Sequence, residues 1–242
     1  MHNTLPVRFR FFDIVMALFS VVIIVSNIAS SAKIVDLGVS LAGIPLAFDG
    51  GTLLFPISYI FGDVLTEVYG FKASRRVIWT GFILSAVACA VFSLLAALPG
   101  EAEWSRYAGD AAYQTILGGM SSGGIVVASL AGYLLGEFSN SVILSKIKIR
   151  MKGKLLFVRT ISSTLVGELL DSIVFISVAT LFGVFPRELL LQLIVTNYIL
   201  KSLLEIVLTP FTYLVIGGLK KAEGVDVYDE GVKYYPLSFH NR

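Results

Sequence analysis

The chain has 242 residues, 56% of them apolar and only 15% charged, with a net charge of +2 and a mean hydropathy of +0.82. A soluble core of this size cannot hide so much apolar surface, so composition excludes a water-soluble globular enzyme and predicts an integral membrane protein. The small positive excess comes from connecting loops and is no footprint for nucleic acid.

Six apolar stretches have the length needed to cross a hydrocarbon core of roughly 30 Å as helices. They are predicted at residues 12–32, 51–70, 77–98, 122–145, 160–184 and 189–217. Helices are expected because a backbone in lipid must satisfy its own hydrogen bonds, and no alternating pattern of a barrel strand is present. The first stretch is long, lacks a small-residue cleavage site, and is expected to be retained as a span rather than removed as a signal. The second carries Pro56, which predicts a discontinuity. The third holds the single cysteine, Cys89, which allows no intramolecular disulfide and, without a nearby histidine, makes a poor metal site.

Between the third and fourth stretches, residues 99–121 include Glu101, Glu103, Trp104, Arg106, Tyr107, Asp110 and Tyr113. That mixture predicts a short helix lying at the outer interface with its aromatics at headgroup depth. The sixth stretch contains Pro210 and is predicted to be kinked, strongly tilted or broken. The tail, 222–242, is polar and has no role legible in its residues.

Arg8 and Arg10 precede the first stretch, Lys72, Arg75 and Arg76 follow the second, and Lys146, Lys148, Arg150, Lys152, Lys154 and Arg159 follow the fourth. Lys220 and Lys221 follow the sixth, whereas the opposite loops carry only Lys33, Arg106 and Arg187. The positive-inside rule then places both termini in the cytoplasm.

Polar residues inside the stretches carry the functional signal. They are Asn27 in the first, Asp63 and Glu67 in the second, Glu137 and Asn140 in the fourth, Glu168 and Asp171 in the fifth, and Asn197, Lys201 and Glu205 in the sixth. Within each helix they recur at separations of three or four, which puts each set on one face and predicts a shared polar cavity. A charge at mid-membrane costs roughly 2.5 to 3.5 kcal/mol on insertion scales, so such groups mark a polar cargo or one another.

Glycine precedes an acid in Gly62-Asp63, Gly136-Glu137 and Gly167-Glu168, which predicts close helix approach beside the carboxylates. The segments 62–67 and 167–171 also resemble each other, hinting at an internal repeat. Six carboxylates within the stretches face one ammonium, Lys201, so the pocket should favour cations or molecules rich in N–H groups. Bland readings stay open beside this one: a self-neutralising Lys201 and Glu205 pair, a solvated Glu67, and asparagines that only bond neighbouring helices.

Phe55-Pro56-Ile57-Ser58-Tyr59 followed by Gly62-Asp63-Val64-Leu65-Thr66-Glu67-Val68-Tyr69-Gly70 resembles the signature of the queuosine precursor transporter family, also called the vitamin uptake transporter family. The resemblance extends to Ser26-Asn27-Ile28 with Lys33, to Arg75-Arg76-Val77-Ile78, to Ser163-Thr164-Leu165 with Gly167-Glu168 and Asp171, and to Lys201 ahead of Thr209-Pro210. It implies an all-α membrane protein of six transmembrane helices, similar in fold to the substrate-binding subunits of energy-coupling-factor importers. It also implies import of deazaguanine bases, the cyano (preQ0) or aminomethyl (preQ1) queuosine precursor, across the bacterial inner membrane for tRNA modification.

The residues suit that cargo. A guanine-like edge offers a ring N–H beside an amino group, which one carboxylate accepts as two parallel hydrogen bonds, while its carbonyl needs a donor such as Asn or Lys. The expected substrate-binding set is Asn27, Tyr59, Asp63, Glu67, Glu137, Asn140, Glu168, Asp171, Asn197 and Lys201, with Tyr59 and Phe138 as candidates to stack on the ring. No metal or cofactor is expected.

Two alternatives come from other classes. One is an intramembrane enzyme with paired carboxylates, a protease or lipid transferase; the only histidines, His2 and His240, lie outside the spans and argue against it. The other is a vitamin-binding subunit that needs an energy-coupling ATPase partner, since the chain has no phosphate-binding loop of its own. A homo-oligomer is likewise open.

Overall fold

The computed structural model describes residues 9–41, 44–183 and 185–237. Arg8, His2 and His240, residue 184 at the end of the fifth expected span, and residues 238–242 of the tail lie outside the described residues.

Helix α1 (Phe12–Ala32) is an uninterrupted run without glycine or proline, and it stops where Lys33 turns to extended backbone. An antiparallel hairpin follows, β1 (Ile34–Leu41) and β2 (Ile44–Asp49), and Gly50 N–H closes its base by donating to Lys33 O at 2.8 Å. This hairpin is the exception to an otherwise helical body and was not expected.

The second expected span is not one long helix. Residues 50–53 form a 3-10 turn, α2 (Phe55–Val64) supplies ten α-helical residues, and Leu65–Tyr69 widen into a π-helical turn. Ten residues rise only about 15 Å, half the hydrocarbon thickness. Pro56 sits in the first turn of α2, where a missing N–H costs nothing. The discontinuity expected from Pro56 therefore falls at the start of the helix, and a second one, the π turn, falls after Asp63.

Helix α3 (Phe71–Ala97) starts behind Gly70, whose φ of 83° no β-branched residue would accept. It ends ahead of Leu98 and Pro99. The expected interfacial segment splits in two. Only α4 (Ala102–Tyr107) lies exposed, capped by the Glu101 side chain at Trp104 N and carrying an Arg106–Glu103 surface pair. In contrast, α5 (Gly109–Ser121) packs on α1 and α3, with Gly119 N–H donating to Ser31 Oγ (2.8 Å) and Tyr113 O–H to Phe92 O (2.6 Å). Ser122 separates it from α6 (Gly123–Arg150), so the two run almost head to tail.

Helices α7 (Leu156–Leu181) and α8 (Leu190–Glu223) complete the body. Pro210 leaves α8 unbroken, and the Thr209 and Thr212 hydroxyls donate to the carbonyls of Glu205 and Leu208 on either side of the bond that proline cannot make. At 34 residues α8 is about 51 Å long, which demands tilt or projection beyond the bilayer.

Among the described residues, five stretches are long and apolar enough to cross a membrane: Phe12–Ala32, Phe71–Ala97, Gly109–Arg150 counted through Ser122, Leu156–Leu181 and Leu193–Glu223. The chain is a multi-pass membrane protein, and its lipid-facing leucines and valines stand exposed along these helices. The start of α1 and the end of α8 lie together, since Glu223 accepts from the N–H groups of Arg10 and Phe11 at 2.7 Å. Beside them the main apolar core joins Val15 and Phe19 of α1 to Val64, Leu65 and Val68 of the second element and Ile216 of α8.

The tightest helix contact joins α6 to α7. A Cβ on Gly136 would lie 3.1 Å from Gly167 O, and one on Gly167 only 2.9 Å from Gly136 O, so the two backbones touch beside Glu137 and Glu168.

Candidate functional site

A chamber of about 560 Å³ runs from the middle of the bundle to the end opposite the α1 start and α8 end. Its mouth is formed by Ser30 and Ser31 of α1, Gly119 and Met120 of α5, Phe185, and Leu193 of α8. Its floor carries Tyr59, Glu137, Asp171 and Lys201, with Asn27 and Asn197 on its walls and Phe175 and Tyr133 supplying aromatic surface. A volume of this order suits a small molecule, and a mostly apolar lining with a few convergent polar groups is the usual form of such a site.

Each floor group is placed by its helix. Asp171 projects from α7 one turn beyond Gly167, and Lys201 reaches it from α8, Nζ to Oδ2 2.5 Å, while standing 3.9 Å from Glu168 Oε2. Glu137 extends from α6 beneath α2, its Oε2 lying 2.6 Å from the point a Cβ on Gly62 would occupy. The glycine is what leaves room for the carboxyl. Asn27 lines the wall and also ties α1 to α6, accepting from Ser129 Oγ at 3.0 Å.

Behind the floor stands a second layer. Asp63 accepts from Asn140 Nδ2 at 3.0 Å, and Glu168 and Glu205 are buried beside it. Asp63 Oδ2, both carboxyl oxygens of Glu137 and Glu168, and Glu205 Oε2 have no hydrogen-bond donor among the described residues. Of the ten residues the sequence pointed to, six line the chamber: Asn27, Tyr59, Glu137, Asp171, Asn197 and Lys201. Asp63, Asn140 and Glu168 form the layer behind.

Glu67 goes elsewhere. The π turn carries it toward the opposite end, where Arg159 Nε and Nη2 meet Oε1 at 2.9 Å and Lys220 Nζ meets Oε2 at 2.9 Å. Lys148 Nζ donates to the Glu67 carbonyl at 2.7 Å. This corrects the view that Lys201 is the one ammonium facing the intramembrane acids, since three further cations converge on Glu67. Phe138, the other candidate for stacking, packs with Phe71 and Ile78 away from the chamber.

The tail, unreadable in the sequence, closes this second site. Asp226 bonds Lys148 and Lys220, each at 2.7 Å, and Val227 O accepts from Lys148. Burial alone would raise the Asp226 carboxyl, but hydrogen bonds and charge from the two lysines hold it below the usual carboxylate value. Asp229 accepts from Phe71 N–H through both oxygens (3.0 and 2.9 Å) and from Ser145 Oγ, capping α3 where Gly70 has no side chain to do so. Farther along, Arg75 and Trp79 donate to the carbonyls of Tyr235 and Pro236.

Sequence reasoning missed Tyr133, Phe175 and the contribution of α5 to the mouth. Gly118-Gly119 and Gly123-Gly124 were the available signal for a backbone that comes close. Among the described residues, no group of three or more His, Cys, Asp or Glu is placed to hold a metal ion.

No solved structure was found to match. The chain is 26% identical over 165 residues to the probable queuosine precursor transporter of Bacillus subtilis (strain 168), covering 67% of this chain and 69% of that one. The family model described as putative vitamin uptake transporter matches residues 49–215, from the end of β2 through most of α8 and including the whole floor of the chamber. The chain therefore belongs to the putative vitamin uptake transporter family, whose members are transporters rather than enzymes.

Proposed function

We propose that this protein imports queuosine precursors, 7-deazaguanine bases such as preQ0 or preQ1, for tRNA modification. The observation that carries the proposal is the chamber itself: a membrane cavity of about 560 Å³ whose floor groups Asp171, Lys201 and Glu137 offer two acceptors and one donor within reach of a flat heterocycle. A deazaguanine edge presents ring N–H and amino donors next to one carbonyl acceptor, the complement of that set. The name of the Bacillus subtilis relative supports the same cargo.

In this proposal Asn27, Tyr59, Glu137, Asp171, Asn197 and Lys201 contact the base, while Asp63, Asn140 and Glu168 support them. Glu67 has no part in binding. The chain crosses the bacterial inner membrane six times as a single unit, the broken element of α2 and its π turn making the second passage between helical neighbours that satisfy its backbone. The basic end, where the start of α1, the end of α8 and the Glu67 cations lie, faces the cytoplasm, so the chamber opens outward.

Uptake of a labelled 7-deazaguanine by cells unable to make it, scored also as queuosine in their tRNA, tests the proposal. Uptake should require the protein and fall at least tenfold in Asp171→Asn and Asn197→Ala variants that insert normally. Uptake equal to that of cells lacking the protein would overturn it.

A further inference from the structure

Glu137 stands in the middle of α6 and is one of the residues that line the chamber floor, its two carboxyl oxygens covered by their neighbours. It is 1% exposed, and neither oxygen receives a hydrogen bond from any described residue. The groups around it are Tyr59 and Asp63 from α2, Cys89 from α3, Glu168 and Asp171 from α7, Lys201 and Glu205 from α8, and Tyr133 one turn earlier on α6. The cation among them, Lys201, is engaged with Asp171 and Glu168. Asp63, Glu168 and Asp171 are close enough for their charges to bear on Glu137.

An ionised carboxylate in this position would be desolvated, without a donor, and ringed by like charges. A proton removes all three penalties. A ligand can do the same, provided that it brings N–H groups or an ammonium to the same oxygens.

We propose that Glu137 is a proton-binding site of the chamber: it holds a proton while the chamber is empty and releases it when a ligand's N–H donors take that proton's place. This rests on the chamber being the ligand site, and it adds the linkage between cargo and proton. The balance is simple. The carboxyl O–H bond breaks, the proton leaves to water at the chamber mouth, the ligand's N–H groups donate to the resulting carboxylate, and no electrons are exchanged. Because the ligand selects the ionised form, affinity rises with pH, about tenfold per unit, until Glu137 is ionised in the empty chamber.

Two measurements test this. Infrared difference spectra of the purified, ligand-free protein at neutral pH should show a carboxylic-acid C=O band that loses intensity in Glu137→Gln, shifts in Glu137→Asp and is unchanged in the exposed control Glu103→Gln. A band indifferent to both Glu137 variants overturns the proposal without reference to any ligand. Titration with 7-aminomethyl-7-deazaguanine in weak buffer with a pH indicator should release about one proton per molecule bound, and none in Glu137→Gln. Binding without proton release overturns the linkage and leaves the import function standing, whereas absence of binding removes the function and leaves the infrared result to decide the proton site.

Discussion

Two buried acidic regions lie about three turns apart along α6, at Glu137 and at Lys148, and they differ in how their charge is answered. At the basic end a single carboxylate, Glu67, meets Arg159, Lys220 and Lys148, and Asp226 shares the two lysines. In the chamber floor and the layer behind it stand Asp63, Glu137, Glu168, Asp171 and Glu205 with one lysine, Lys201, which pairs with Asp171 and Glu168, and several of the acids' oxygens have no donor among the described residues. The first region is a closed ion network that joins the π turn to α6, α7 and α8. The second is left with acceptors to spare, which is the condition for taking up something that donates. Compensation of charge, rather than burial or residue type, separates the closed network from the candidate site.

The sharpest way to break the contrast is to remove Glu67. A Glu67→Ala change leaves three buried or half-buried cations facing each other, and breaking a buried pair from one side costs about 3–5 kcal/mol. The variant should lose most of its folded yield and melt far below the parent in detergent, by fluorescence-detected gel filtration. If it folds normally and only transport suffers, the division of labour drawn here fails.

In the chamber the expected cost falls on transport instead. Lys201→Gln and Asp171→Asn should each reduce uptake at least tenfold with a smaller loss of thermal stability, and the double variant should be no worse than the poorer single one. Additive losses would mean that the two side chains act independently. At the α6–α7 seam, Gly167→Ala puts a methyl 2.9 Å from Gly136 O, and overpacking of this kind costs about 1–3 kcal/mol, to be read as a lowered melting temperature.

The tail offers smaller effects. Asp229→Ala removes the cap of α3 and should cost about 1–2 kcal/mol while sparing ligand affinity. Asp226 gives a pH signature. Its carboxyl titrates lower in the folded protein than in the unfolded chain, so its contribution is present above about pH 3.9 and is lost as the pH falls through the lower folded value. The side chain is 44% exposed, which keeps the contribution small. Asp226→Asn should slightly flatten the acid side of the stability profile.

Much of the fold was legible because long apolar runs leave few choices: α1, α3, α6, α7 and α8 follow from length and hydropathy. The lining of the candidate site was legible in part because Asn27, Glu137, Asp171, Asn197 and Lys201 are polar residues where lipid penalises them. Glu67 was misplaced because its spacing from Asp63 was read on α-helical geometry, and a π turn between them redirects the second carboxylate. Its cations were visible as well, but Lys148, Arg159 and Lys220 were read as marks of orientation rather than as partners. The tail could not be read because what fixes it is distant in the chain, whereas the hairpin went unread although its pairing is local, Ile34 opposite Asp49 and Leu41 opposite Ile44. Asp229 finds Phe71 and Ser145 only after the helices have assembled.

The backbone contact at Gly136 and Gly167 has one mechanical consequence. Where the two glycines meet, no side chain stands between the backbones to slide or repack, which favours joint movement of α6 and α7 with Glu137, Glu168 and Asp171. In the proposed import, the movement that carries cargo inward falls to the pieces leaning on that seam: α1, the short α2 with its wide turn, and the long α8.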